Sequence, residues 1–257
     1  MYVEGLTTEW HAKGFEKPES AAQDWTGHVY VSNMPGGPTG TGGYLSRLDE
    51  EGRFLKQRFI EGLDAPKGIE ITPGHDLLVC DLSVVRIYDT LNGKKHLDLP
   101  IPGAKFLNGI AWDGADTFYV SDTETGLIME FTGKDRNPSV FLEIEAPNGL
   151  VFDPKRKLLY VALWEDRAIA IVNERGEKQF IRSDRFENLD GIAILPNGSI
   201  AVSDWTRGNL YVVNREGEVS TIASGLKNPA DINLSIEGTS LFVPEMGAGI
   251  VRSFIIQ

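Results

Sequence analysis

The sequence predicts an all-β fold, a six-bladed β-propeller with four antiparallel strands per blade, as one domain spanning residues 1–257. Three observations carry this: a fixed internal period, four strand-like stretches in each period, and a last repeat that lacks its fourth strand. The period is read from the short β-type runs "HVYVSN", "LLVCD", "FYVSD", "LYVAL", "IAVSD" and "LFVPE". Indexed on Val31, Val79, Val120, Val161, Val202 and Val243, they are separated by steps of 48, 41, 41, 41 and 41 residues. The one long step holds the glycine-rich insertion "MPGGPTGTGG", Met34 to Gly43.

Each repeat opens on an inner strand, such as "GIAIL" in the fifth, and in the third, fourth and fifth repeats that strand begins beside an Asn-Gly or Asp-Gly pair. A second strand, "SIAVSD", carries the indexed Val, and a third, "NLYVVN", and an outer one, "EVSTIA", complete the blade. Turn residues of the kind seen in "DPKRK" and "PNGS" separate them, and no long 3.6-residue periodicity competes. The sixth repeat stops after its third strand, "IVRSFIIQ". "VEGLTTEWHA" near the N-terminus is expected to supply the missing outer strand, closing the ring and covering the last blade's edge.

Composition bounds the function. With 41% hydrophobic and 24% charged residues the chain can bury a core. A formal charge of −12 excludes the phosphate-neutralising surface that nucleic acid demands and leaves an acidic field suited to cations. Cys80, the single cysteine, falls in the apolar run "DLLVCD" and reads as an inert core thiol. The opening "MYVEGLTTEW" lacks a basic start and an apolar core, and no segment approaches the roughly 18 apolar residues of a membrane span. No membrane partner is therefore expected, and a cytoplasmic location is.

A buried strand is a poor place for an amide or carboxylate, yet each inner strand carries a polar residue at its start. Counting back twelve residues from the indexed Val gives Glu19, Lys67, Asn108, Asp190 and Asp231, and thirteen back in the fourth repeat gives Asn148. These six side chains are expected to converge on the propeller axis. Carboxylate and amide oxygens, with no His or Cys among them, suit Ca2+ or another hard divalent cation rather than zinc or copper. Two plainer readings stand beside this one: Asn-Gly and Asp-Gly as ordinary turn dipeptides, and a water-filled polar tunnel without metal.

"KPES", "FLNGIAWD", "APNGLVFDP" and "NLDGIAILPNGSIAVSDW", together with the 41-residue period, resemble the gluconolactonase/regucalcin family of six-bladed propellers, whose relatives include diisopropylfluorophosphatase. The resemblance spans essentially the whole chain. It implies a catalytic calcium held by Glu19, Asn108, Asn148 and Asp190, and hydrolysis of a small-molecule lactone or related ester. It also makes Asp190 the first choice for the catalytic carboxylate and Asp231 the second. The rival reading is a non-catalytic binding scaffold with a structural calcium or none.

Lys67 departs from that pattern. Its ammonium is expected to pair with Glu19 or Asp231, with stabilisation of an oxyanion or repulsion of the metal as the other roles, and it is kept as a catalytic candidate. Loops after the second strands are expected to ring a substrate pocket with Met34, Trp164, Trp205 and Met246. Asn33, Asp81, Asp122, Asp204 and Glu245 end those strands where the fourth repeat has Leu163, and they read mainly as loop anchors, with Asp122 retained as a pocket candidate. The Pro35 to Gly43 insertion reads as a mobile lid or a plain solvent loop. His28 and His75 precede second strands and His11 and His96 fall in outer strands, so no catalytic His pair is expected.

Overall fold

A computed structural model describes residues 6–133 and 136–256. Six four-stranded antiparallel sheets follow one another along the chain, with no helix among the described residues. Their inner strands are Pro18–Gln23, Pro66–Ile71, Leu107–Trp112, Pro147–Asp153, Leu189–Ile194 and the short Asn233–Leu234. The sixth sheet takes its outer strand, Thr7–Lys13, from the N-terminus, paired antiparallel to Ile250–Ile255. The expected closure is thus present, although Val3–Gly5 of the segment lie outside the described residues.

Alternating side chains of each sheet fill the space against the next blade, so the core is a ring of layers. Leu78, Val85 and Ile87 of the second blade meet Ile110, Phe118 and Phe131 of the third, where two phenyl rings stack 4.5 Å apart. The layer between the sixth and first blades joins Ala12, Val251 and Phe242 to Val29, Val31 and Leu48. Trp10 lies over Phe242 there, its ring 5.7 Å away.

The Asn-Gly and Asp-Gly pairs that open the inner strands are not turns. In the first five blades the register breaks at this point: Leu107 faces Asp122 and Ile110 faces Val120, so Asn108 and Gly109 together oppose the single Ser121. The same break occurs at Glu19–Ser20, Lys67–Gly68, Asn148–Gly149 and Asp190–Gly191. Each is a β-bulge, which kinks the strand and turns a side chain out of the regular alternation.

Glycine follows for a packing reason. A Cβ on Gly109 would lie 2.4 Å from the Asn148 carbonyl oxygen, and one on Gly149 would lie 2.3 Å from that of Asp190. None of these bulge glycines has a left-handed backbone; the backbone of the next blade's axial residue occupies the space. Ser121 Oγ accepts from the Gly109 amide at 2.8 Å and donates to the Asn148 carbonyl at 2.7 Å, tying bulge to bulge, and Ser203 repeats the device one blade pair later. Cys80 stands at this position in the second blade, buried, with Sγ 3.8 Å from the Gly109 carbonyl. The fourth blade's extra residue is absorbed in the turn after Asp153, where Lys157 takes a positive φ of 56°, so Asn148 keeps the common register.

Candidate metal and substrate site

The bulges bring Glu19, Lys67, Asn108, Asn148 and Asp190 around the axis, Asp231 joins them from the segment before the short inner strand of the sixth blade, and all six are buried. Between the last blade and the first, the Asp231 amide donates to the Glu19 carbonyl at 2.9 Å, which closes the inner ring. Five of the six side chains, all but Asp231, form the floor of a cavity of about 420 Å³. A larger depression of about 670 Å³, lined by Glu9, Asp24, Trp25 and Glu237, lies elsewhere on the sixth and first blades and contains none of the axial side chains.

Three floor oxygens are buried without a hydrogen-bond partner: Glu19 Oε2, Asn148 Oδ1 and Asp190 Oδ1. Orphaned oxygens are costly, roughly 1–3 kcal/mol each, and three in one floor need a common explanation. The Asn108 amide nitrogen donates to Thr123 Oγ1 at 3.2 Å, and that hydroxyl donates onward to the Pro147 carbonyl at 2.7 Å, which spends the nitrogen and leaves the amide oxygen. Burial holds the Glu19 carboxyl well above its usual range, reinforced by repulsion from Asp190 and Asp231 and opposed by the Lys67 charge. Asp190 is raised by burial and then by Asp231. In these directions burial and mutual repulsion favour the neutral carboxyls, and a positive charge placed among them would favour the ionised forms.

The donors fit a hard divalent ion: two carboxylates and two amides, oxygen throughout. Among the described residues no three His, Cys, Asp or Glu side chains are grouped to hold a metal, the axial carboxylates included, so an ion here would draw on the two amides as well. Asp231 is set apart from the four. Its Oδ2 accepts from Ser20 Oγ at 2.6 Å, and burial raises it to about 6, with the bonds from Ser20 and Asn233 opposing the shift.

Lys67 is placed differently from the expectation. Among the described residues it makes no ion pair; Nζ donates to the Pro38 carbonyl at 2.9 Å and lies 4.0 Å over the Phe106 ring. Pro38 belongs to the insertion, so the lysine binds that loop and acts on Glu19 through its charge without a direct ion pair. Burial lowers its pKa, while the nearby carboxylates, Glu19 foremost, hold it up. The insertion folds on itself, with the Gly37 amide bonded to the Met34 carbonyl and the Gly40 amide to that of Gly37. A Cβ on Gly40 would lie 2.2 Å from the Gly36 carbonyl oxygen, a close approach that accounts for the glycines.

Met34, Trp164, Trp205 and Met246 line the cavity walls, and the two indoles lie 5.8 Å apart at 58°. Their placement has one backbone cause: each residue's amide bonds a carbonyl of the loop before its own blade's inner strand, as Trp164 does to Ala146 and Trp205 to Asn188. Asp122 does not line the cavity. Its carboxylate accepts the Lys105 and Phe106 amides at 2.8 and 3.0 Å, and Asp81, Asp204 and Glu245 anchor the corresponding loops in their blades. Phe106, Thr123 and Ala146 line the cavity without having been singled out in the sequence. Phe106 and Ala146 stand two residues before an axial residue, a spacing that would have found them.

No family model matches the chain, and no curated protein matches it. Solved structures do. A structural-genomics protein of unknown function from Bacteroides thetaiotaomicron aligns over 100% of this chain and 75% of its own, with TM-score 0.78 and 13% identity. A streptogramin B lyase aligns over 98% and 87%, with TM-score 0.70 and 14% identity. Virginiamycin B lyase from Staphylococcus aureus aligns over 98% and 99%, with TM-score 0.71 and 12% identity. At these identities the likeness is one of fold, a six-bladed propeller, and two of the three neighbours are enzymes.

Proposed function

We propose that this propeller is a calcium-dependent hydrolase of a lactone or related ester, acting at the upper end of its axis. The observation that carries the reading is the set of three unpartnered buried oxygens, from the first, fourth and fifth blades, in the floor of one cavity. Glu19, Asn108, Asn148 and Asp190 would hold the ion, which supplies Lewis-acid polarisation of a substrate carbonyl or phosphoryl oxygen when bound. The motif resemblance to gluconolactonases and regucalcin points the same way.

The chain's own groups divide the remaining work. Asp190 presents an unpartnered oxygen to the cavity and, once ionised, takes the proton from an attacking water. Asp231 lies off the cavity, bonded to Ser20, and acts on Asp190 through its charge. Lys67 brings the one Lys or Arg side chain among the described lining residues, its ammonium placed to favour negative charge developing on a bound oxygen. The half-buried indoles of Trp164 and Trp205 wall the space beside the floor. One neighbouring lyase is catalytically inactive when a histidine is replaced by alanine. Among the described residues no histidine lines this cavity, which favours carboxylate-based hydrolysis here.

The test is a calcium titration by calorimetry on chelator-stripped protein, beside a pH-stat assay of lactones. Binding of one ion with calcium-dependent acid release is expected. Asp190→Asn is expected to lower kcat by about 100-fold or more while calcium still binds. Binding without turnover of any lactone or phosphotriester would instead assign the ion a structural role, and no binding would make the propeller a scaffold.

A further inference from the structure

We infer that the substrate is neutral and carries an alkyl or aryl substituent, not the hydroxyl-rich ring of a sugar lactone. This rests on the hydrolase reading above and concerns the wall of the cavity, not its floor. Met34, Phe106, Trp164, Trp205 and Met246 form that wall, and all but the fully buried Met34 keep part of their surface open. Aromatic and thioether faces of this kind bind by area and offer few hydrogen bonds.

Few polar groups stand along that wall. Thr123 spends its hydroxyl between Pro147 and Asn108, and the Asp122 carboxylate is satisfied by loop amides. Lys67 gives protons to the Pro38 and Ala65 carbonyls. Of the other polar lining residues, Glu19, Asn108, Asn148 and Asp190 form the floor, and Glu124 and Glu165 are exposed at the mouth, where a substrate hydroxyl that bonds them gives up water to do so. Glu124 lies 3.4 Å from Lys105. Two carboxylates at the mouth and a chain charge of −12 repel an anionic substrate. A polyol lactone entering this cavity would lay several hydroxyls against indole and thioether surface, losing roughly tenfold in affinity for each left without a partner. A hydrocarbon substituent gains about fourfold for each methylene buried.

The experiment compares δ-valerolactone, its propyl- and hexyl-substituted forms and glucono-δ-lactone by calcium-dependent pH-stat. In parallel, tryptophan fluorescence follows binding of the non-hydrolysable hexyl-δ-lactam and of gluconolactam. The expected result is kcat/KM rising about threefold to fourfold per methylene, and the hexyl lactam binding at least 100-fold more tightly than gluconolactam. Trp164→Ala is expected to lower kcat/KM for the hexyl lactone about tenfold more than for δ-valerolactone. Glucono-δ-lactone turned over as well as the hexyl lactone, or gluconolactam bound as tightly, would overturn the inference and leave the hydrolase standing. Preferential binding of the hexyl lactam without turnover of any lactone would uphold the apolar pocket and overturn the hydrolase.

Discussion

At the residue scale the protein tolerates titratable groups around its axis that a core would reject, and Glu70 shows the cost away from the proposed ligands. It lies three residues beyond Lys67 on the same inner strand. Burial, with the Asp231 charge second, raises its carboxyl from the ordinary 4.5 to about 7, against bonds from the Ile71 and Trp112 amides. A carboxyl whose folded pKa is raised binds more protons folded than unfolded between those two values, so stability falls as pH rises through that window. Below it both states are protonated and nothing is lost; above it the full penalty is present. In chelator-treated protein, Glu70→Gln is expected to match the parent near pH 4 and to exceed it by about 1–2 kcal/mol at pH 8, a figure discounted for the partial exposure of the residue. Urea denaturation at the two pH values checks it, and an equal difference at both would show that the carboxyl is not the cause.

At the scale of the strand, the bulge is the element that makes the site. It allows Asn108, Asn148 and Asp190 to leave the regular alternation while the rest of each strand stays in the core. Gly109→Ala sets a methyl group against the Asn148 carbonyl oxygen and within 2.9 Å of the Leu150 amide nitrogen, atoms that no side-chain rotation can move. It is expected to cost about 3 kcal/mol or more and to lower calcium affinity through displacement of Asn148. Gly74→Ala is the control, since its nearest neighbour is the Thr72 hydroxyl at 3.8 Å and its φ is not positive; a change under about 1 kcal/mol is expected in chemical denaturation. Equal losses at the two glycines would mean that the inter-blade approach is not what selects glycine.

At the scale of the whole molecule, closure decides whether six blades make a ring. Trp10, on the N-terminal strand of the sixth blade, packs over Phe242 and occupies the space a side chain on Gly52 of the first blade would need, 2.5 Å from its Cβ position. Trp10→Ala is expected to cost about 2–3 kcal/mol, less than a fully buried tryptophan because part of the residue stays exposed. Trp10→Phe is expected to cost less than 1 kcal/mol, because the indole nitrogen has no hydrogen-bond partner to lose. Guanidinium unfolding distinguishes the two, and similar losses would show that the nitrogen contributes. The period, the blade count, the closing strand and the six axial residues were all legible in the sequence. Each follows from local patterning repeated at a fixed spacing, and spacing survives without coordinates. Three features were not legible: glycine's role at the bulge, the turn of Lys67 toward Pro38, and the withdrawal of Asp122 and Asp231 from the cavity. Each depends on an atom from a distant part of the chain: the next blade's carbonyl oxygen, a carbonyl 29 residues back, loop amides 16 and 17 residues back, and a Ser20 hydroxyl 211 residues away. The sequence by itself determined which residues reach the axis, because the repeat fixes their register. Only the tertiary structure decided which of them remain free to bind, because a polar group's partner is set by whatever the ring brings within hydrogen-bond distance.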